Sequence, residues 1–109
     1  MAPDLKKPEQ LPEYQAFEKI LNDCRKALRE QGDEFAARMK LYADQYASGQ
    51  ITEAELKHSV RGLEYPLKAW ITKQSIFRRR RMNKLVDAAL NHLTGVLIEA
   101  VKAHFLPFI

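Results

Sequence analysis

Residues 75–105 read SIFRRRRMNKLVDAALNHLTGVLIEAVKAHF, the longest amphipathic segment of the chain. After the arginine run, apolar side chains recur every three or four residues, which places them on one face of a helix. Ser75 is a candidate N-cap, and Pro107 ends any helix that reaches it. The pattern predicts a long fourth helix from Ser75 to about Phe105, about 45 Å at ~1.5 Å per residue. Its apolar positions are Met82, Leu85, Val86, Ala89, Leu90, Leu93, Val96, Leu97, Ala100, Val101 and Phe105.

Two shorter amphipathic helices are predicted at the start of the chain. The first begins at Leu11–Pro12, because proline suits a first helical turn, and Gly32 ends it. The second takes Asp33 as its N-cap and stops at Ser48–Gly49. Each helix carries a continuous apolar stripe for packing. The stripes are Tyr14, Phe17, Leu21, Cys24 and Leu28 in the first helix and Phe35, Met39, Tyr42 and Tyr46 in the second.

The third helix has the clearest start signal in the chain. Thr52 and Glu55 have the spacing of a capping box, and Ile51 and Leu56 occupy the positions of a hydrophobic staple. The apolar side chains that follow recur with helical spacing, so they form a stripe on one face of the helix. This stripe consists of Leu56, Val60, Leu63, Leu67 and Trp70.

A proline inside the third helix predicts an irregularity. Pro66 lacks an N–H, and its ring meets the carbonyl group of Gly62, four residues back. We therefore expect a kink or a short break between Gly62 and Pro66. Beyond it, Thr72–Gln74 is only a weak signal for the end of a helix. An alternative is therefore a single, still longer helix over residues 67–105.

Four amphipathic helices with short links favour an all-α, antiparallel four-helix bundle. Residues 1–10 are charged and contain two prolines, so we interpret them as a flexible N-terminal arm, with residues 11–109 as a single helical domain. A composition with 46% hydrophobic and 29% charged residues excludes disordered and collagen-like classes. One cysteine, no apolar run of ~20 residues and no signal-like N-terminus indicate a reduced, cytoplasmic protein that does not enter a membrane.

The fourth helix is longer than the second, which predicts an uncovered apolar surface at its C-terminal end. Exposed apolar patches of this kind mark interfaces, and a two-fold homodimer is the economical solution. An apolar tail, residues 105–109, adds to this surface. The alternative is that the tail folds back and closes the core of a monomer. The predicted oligomer interface is Leu93, Leu97, Val101, Phe105, Leu106 and Phe108.

All of the net charge of +4 falls in residues 75–109, which carry six basic and two acidic side chains. Most of it is the arginine run, and a clustered charge raises the local potential more than a scattered one. The candidate residues for binding nucleic acid or an acidic partner are Lys68, Lys73, Arg78, Arg79, Arg80, Arg81 and Lys84.

Folding does not explain this arginine run. A helix N-terminus is already positive, and like charges along a helix repel one another. Because four consecutive residues surround a helix at ~100° each, at least one arginine must point towards the bundle, and Arg78 and Arg81 are the candidates. The cluster either increases solubility, paired to Glu13, Glu18 or Asp87, or binds a polyanion, or binds an acidic protein.

Catalytic and metal-binding patterns are not found in the sequence. Glu55 and His58 have the Glu-x-x-His spacing of di-iron bundles, but the second copy that such a site needs is missing. His92 is interpreted as a hydrogen-bonded packing residue and Cys24 as a buried hydrophobe. No cofactor or metal is expected.

Aromatic residues flank the basic cluster, and aromatic and basic side chains together can bind bases. We nevertheless expect Trp70, Tyr65 and Phe77 to lie in the core. A membrane-surface role is not favoured, because the basic residues gather at one end of the fourth helix and not along a polar face.

The sequence therefore predicts a non-enzymatic, nucleic-acid-associated accessory or regulatory protein that binds the phosphate backbone. The alternative is a protein–protein interaction module, an adaptor or inhibitor of a larger complex. DNA recognition by a helix-turn-helix at Ser48–Gly49 has less support, because Glu53, Glu55 and Glu64 on the candidate recognition helix repel phosphates.

Overall fold

The computed structural model of the protein describes residues 7–105, and every regular element in this range is helical. The fourth helix, α4, continues through a π-helical turn, His92–Leu97, into α5. With these three counted as one, four helices are present, as predicted. The α-helices are α1 (Pro12–Leu28), α2 (Glu30–Ala47), α3 (Glu53–Thr72), α4 (Ile76–Asn91) and α5 (Ile98–His104).

Residues 1–6 of the predicted N-terminal arm lie outside the described residues. Its last part, Pro8–Gln10, forms one turn of 3-10 helix, and Leu11 behind it is buried in the core. The chain is therefore fixed to the bundle from Leu11 onward.

The core lies where the four apolar stripes meet. α1 packs against both α2 and α4, α2 also packs against α3, and α3 packs against α4. The molecule is elongated, with extents of 56 × 23 × 20 Å. The complete predicted stripe of α1 is buried, which confirms the assignment of that face. The buried residues of α1 are Tyr14, Phe17, Leu21, Cys24 and Leu28.

The junction between α1 and α2 differs from the prediction. A single residue, Arg29, separates the helices, with φ 55° and ψ −126°. Gly32 does not end α1, and Asp33 is not an N-cap, because both lie in the first turn of α2. Gly32 is required for a different reason: a Cβ there would lie 2.3 Å from the carbonyl oxygen of Cys24. The glycine thus permits the backbones of α1 and α2 to approach closely.

The start of α3 confirms the predicted capping box. The backbone N–H of Glu55 donates to Oγ1 of Thr52 at 3.1 Å, and the backbone N–H of Thr52 donates to Oε1 of Glu55 at 3.0 Å. Two backbone groups that have no partner within the helix are thereby satisfied.

The break expected at Pro66 is absent, because α3 runs uninterrupted from Glu53 to Thr72. Pro66 and Gly62 are both exposed. Water can therefore bond the carbonyl oxygen of Gly62, and glycine places no side chain beside the proline ring. The single helix over 67–105 is also wrong, because residues 73–75 separate α3 from α4.

The π-helical turn was not foreseen. Within it, the backbone N–H of Ile98 donates to the carbonyl oxygen of Leu93, five residues back. The hydroxyl of Thr94 donates to the carbonyl oxygen of Leu90 at 2.8 Å, which satisfies an oxygen near the start of the turn. Such turns are inserted into longer α-helices.

As far as Phe105, the apolar side of the C-terminal part of the long helix is covered within one chain, contrary to the expected open surface. α1 packs against the π-helical turn, and Nζ of Lys102 lies 3.2 Å from Oε2 of Glu53, at the start of α3. The prediction compared the long helix with α2 alone and overlooked α1 and α3. Leu106 and Phe108 lie outside the described residues. The predicted interface residues that belong to the monomer core are Leu93, Leu97, Val101 and Phe105.

We expect Gly32→Ala to lower the free energy of unfolding by about 1–3 kcal/mol, because the new methyl group meets the backbone of α1. Gly62→Ala is the matched control, since a Cβ at Gly62 meets nothing within 4 Å. That variant should gain about 0.5–1 kcal/mol from helix propensity. Urea unfolding measures both, and equal effects of the two substitutions would contradict the close approach.

We expect Arg29→Gly to raise the free energy of unfolding by about 1 kcal/mol, since its φ of 55° is strained for a residue with a Cβ. Arg29→Ala removes the same charge and keeps the strain, so it should give no comparable gain. Urea unfolding of the two variants side by side separates backbone strain from charge. An alanine variant as stable as the glycine variant would show that no strain is present.

Candidate functional site

The arginine run lies at one end of the bundle, where the α1–α2 junction is beside the start of α4. A cleft of about 220 Å³ there is lined by side chains of both elements. Lys26 and Arg29 come from the end of α1, and Arg78 and Arg81 come from the first turns of α4. We call this surface the basic end. It comprises Lys26, Arg29, Lys73, Arg78, Arg79, Arg80, Arg81 and Lys84.

Of the four consecutive arginine side chains, three are exposed and one is half-buried. Arg79 is the half-buried one, whereas the sequence pointed to Arg78 or Arg81. The helix geometry gives the reason: Arg79 precedes Met82 by three residues and Val86 by seven, and both are buried. Arg78 and Arg81 therefore remain at the surface, where they line the cleft.

The arginines of the basic end have no carboxylate partner among the residues that the structure describes. In residues 7–105, none of Arg29 and Arg78–Arg81 has a carboxylate oxygen within 4.0 Å. Of the carboxylates that the solubility interpretation paired with them, Glu18 contacts Lys40 at 3.9 Å and Asp87 contacts Lys68 at 2.6 Å. Among the described residues, the ion pairs that this interpretation named for the arginines are therefore not formed.

Lys68 is the one predicted binding residue that the structure separates from the others. Its Nζ donates to Oδ1 of Asp87 at 2.6 Å, in the middle of α4. The charge of Asp87 offsets that of Lys68, and the side chain of Lys68 is half-buried. Lys73 and Lys84 are exposed; Lys73 is the C-cap residue of α3, at the start of the link to α4, and Lys84 follows Arg81 by three residues on α4.

Helix ends of both polarities meet at the basic end, because α2 and α4 begin there and α1 and α3 end there. The positive charge of the basic end therefore comes from its side chains, and the first turn of α4 contains no acidic residue. The acidic side chains that follow Arg29 most closely in sequence are Glu30 and Asp33, in the first turn of α2. Neither lines the cleft, and neither lies within ion-pair distance of Arg29. The lining of the cleft is therefore positive without an acidic component.

An aromatic side chain lies among these cations, against the expectation that it would be in the core. Phe77 is 89% exposed, and its neighbour Ile76 is 61% exposed. Arg80, Arg81 and Lys84 follow Phe77 by three, four and seven residues, so they share its helix face. The sequence carried a signal for this, because Phe77 lies on the opposite side of the helix from Met82.

Of the two other aromatic residues that were expected in the core, one is there and one is not. Trp70 is half-buried and packs against the core, as expected, but Tyr65 is 82% exposed. Tyr65 lies outside the apolar stripe of α3, beside the exposed Pro66. It does not line the cleft of the basic end.

Two other grooves are of mixed charge. The larger, about 510 Å³ between α3 and α4, is lined by Lys57 and Arg61 but also by Glu64 and Asp87. A second groove, about 290 Å³ between α2 and α3, includes both Glu34 and Arg38. Neither therefore offers the one-sided charge of the cleft at the basic end.

Three titratable residues outside the basic end have structural partners. Nε2 of His92 lies 2.6 Å from the carbonyl oxygen of Glu13, and its ring stacks on Phe17, which confirms the hydrogen-bonded packing role. The hydroxyl of Tyr14 donates to Asp44, and burial raises the pKa of Tyr14 above its usual value. Glu55 serves the capping box, which lowers the pKa of its carboxyl group.

In residues 7–105, no three His, Cys, Asp or Glu side chains come together in a way that could hold a metal ion. Over the same range, no helix has the length and apolar character needed to cross a membrane. No protein-family model matches the chain, and no curated protein or solved structure shows significant similarity to it.

Burial raises the pKa of the Cys24 thiol to about 12, and the charge of Asp23 adds to the shift. We expect a thiol reagent at pH 8 to modify the native protein at least ~10³-fold more slowly than the urea-unfolded chain, because the thiolate forms only after opening. N-acetylcysteine under the same conditions gives the rate of a free thiol. Fast modification of the native protein would contradict the burial of Cys24.

Proposed function

We propose that the protein is a non-enzymatic, nucleic-acid-associated accessory or regulatory protein that binds the phosphate backbone through its basic end. The observation that supports this most is the unpaired state of Arg78–Arg81 within residues 7–105. Arginines that remain free of carboxylates cost stability through mutual repulsion, and a polyanion removes that repulsion. Guanidinium groups match phosphate oxygens geometrically, with two N–H donors aligned to one phosphate.

The charge distribution further favours an extended polyanion over a single small anion. Lys73, Arg80 and Lys84 are exposed but do not line the cleft. They therefore extend the positive surface beyond the volume that one phosphate occupies. A chain of phosphates can contact this surface at several points and release several counterions on binding.

A protein-interaction module, an adaptor or inhibitor of a larger complex, is the second candidate. The observation in its favour is the exposure of large apolar side chains, among them Tyr65 and Ile76. Part of the surface from which it was first argued is not free, because Leu93, Leu97, Val101 and Phe105 lie in the core, whereas residues 106–109 of the apolar tail lie outside the described residues. A stoichiometric protein partner that resists nuclease and high salt would favour it over nucleic acid.

The antiparallel order of the helices and a two-fold dimer belong to the same proposal. Contacts of Glu53 with Lys102 and of Lys68 with Asp87 support opposite directions for α3 and the long helix. A dimer would double the positive surface, and the 46% exposed Val96 offers apolar contact on the π-helical turn. Sedimentation velocity tests it: a 12.6 kDa species at micromolar concentration would remove the dimer without affecting the binding proposal.

The binding proposal is tested by titrating labelled 20-nucleotide DNA and RNA, single-stranded and duplex, at several salt concentrations. We expect the affinity to fall as salt rises, and changing Arg78–Arg81 to Gln to weaken binding at least ~10-fold. The slope of log K against log salt should become shallower by roughly 0.7–0.9 for each phosphate that the variant no longer neutralises.

The matched control removes the same charge elsewhere. Lys7, Lys19, Arg38 and Arg61 are exposed and, among the described residues, form no ion pair, so their change to Gln gives an equal net charge. This control should retain most of the affinity. Binding that is indifferent to salt, or equally weakened in both quadruple variants, would contradict a specific role for the basic end.

A further inference from the structure

The cleft at the basic end contains two cations that the sequence did not assign to any site. Lys26 and Arg29 are distant from the arginine run in sequence, but they line the same cleft as Arg78 and Arg81. None of the four has a carboxylate partner within ion-pair distance in residues 7–105. Because a water molecule takes up about 30 Å³ of liquid, the ~220 Å³ cleft has room for a phosphate group and some water.

The backbone at Arg29 is held in a conformation that suits glycine. A φ of 55° with ψ −126° is unfavourable for a side chain with a Cβ. A folding requirement alone would favour glycine at this junction, since a single residue turns the chain there. The arginine adds a cation to the cleft, and the cost is a strained backbone at this residue. Strained backbone of this kind is found most often at functional positions.

The exposed ring of Phe77 is the second element of the surface. Arg81 belongs both to the face that carries Phe77, four residues earlier, and to the lining of the cleft. An aromatic ring that is 89% exposed beside a phosphate-sized positive cleft resembles the surfaces on which unpaired bases stack. In a duplex the bases already stack on one another, so an exposed ring finds no free face there.

We infer that the ligand of the basic end is single-stranded nucleic acid. One phosphate occupies the cleft formed by Lys26, Arg29, Arg78 and Arg81, and an adjacent base stacks on Phe77. This inference rests on the proposed function and narrows it, since phosphate binding alone would not distinguish single strands from duplexes. It adds Lys26, Arg29 and Phe77 to the binding residues.

A membrane surface is the competing partner for the same residues, because Ile76 and Phe77 beside cations also suit anionic headgroups. However, only two apolar side chains are available to insert into a bilayer. The cleft is also formed by the end of α1 as much as by α4, and membrane insertion would not use it. Base stacking uses both the ring and the cleft, so the single strand is the better match. Vesicle binding is nevertheless measured as a separate arm of the test.

The test compares three probes of equal length at one salt concentration: dT20, a 20-unit abasic strand and a 20-bp duplex. The abasic strand keeps the phosphates and lacks the bases, so it isolates stacking from charge. We expect the wild-type protein to bind dT20 at least ~10-fold more tightly than the abasic strand, and Phe77→Ala to remove most of this difference. The affinity of Phe77→Ala for the abasic strand and the duplex should stay within about twofold of wild type.

The cleft is tested with Arg29→Gly and Lys26→Gln. Each should weaken binding of dT20 and of the abasic strand by a similar factor, roughly threefold to tenfold, because each removes a cation that contacts the phosphate. Arg29→Gly relieves backbone strain, so a loss of affinity in that variant does not come from unfolding. Lys19→Gln, on the exposed part of α1 away from the cleft, is the control and should bind like wild type.

Equal binding of dT20 and the abasic strand, or no effect of Phe77→Ala, would overturn the single-strand inference while leaving the proposed function in place. Failure of the wild-type protein to bind any of the three probes would overturn both. Tight, Phe77-dependent binding to vesicles of phosphatidylserine and phosphatidylcholine, with weak binding of dT20, would assign the surface to a membrane and overturn the inference. Unchanged affinity of both Arg29→Gly and Lys26→Gln would remove the cleft from the site.

Discussion

The close contact between α1 and α2 at Gly32 determines where the basic end forms. Because a Cβ at Gly32 would overlap the carbonyl oxygen of Cys24, the two helices can approach to this distance only with glycine. A single residue, Arg29, then suffices to connect them. α1 itself packs against α4, which places Lys26, in the last turn of α1, beside Arg78 and Arg81. The one-residue junction keeps Arg29 at the same place, whereas a longer loop would let it move away.

Packing and charge are separated along this molecule. The buried side chains of the core are hydrophobic throughout the described range, and the ion pairs formed there lie at the surface, where each contributes little to stability. Lys40, Lys68 and Lys102 all have carboxylate neighbours on other helices. The cations at the basic end have none in residues 7–105, so their position follows from neither core packing nor charge pairing.

The apolar stripes made most of the fold predictable from the sequence. The stripe of α1 is buried along its whole length, and the capping box at Thr52 fixes the start of α3. Periodicity could not locate the α1–α2 junction, because a glycine that permits close helix packing and a glycine that ends a helix look alike in sequence. The tolerance of Pro66 depended on its exposure, which only the packing of α3 decides.

The site was predictable in part, and the missing residues have a common physical cause. The arginine run was evident from composition, but the convergence of Lys26 and Arg29 on it is a tertiary contact between helix ends that are far apart in sequence. Phe77 was assigned to the core because aromatic residues usually are buried there. Its phase on the helix, opposite Met82, was the stronger signal.

The placement of Arg29 shows why stability alone is an insufficient account of this end of the molecule. Three features there act against folding: a strained φ of 55°, neighbouring guanidinium groups without carboxylates in residues 7–105, and cations at the positive end of α4. Each costs a fraction of a kcal/mol to a few kcal/mol. A bound phosphate offsets the two electrostatic costs together, since it supplies the negative charge that the chain does not. The strained backbone is independent of charge, and it is explained if the side chain of Arg29 contributes more to binding than a glycine would to folding.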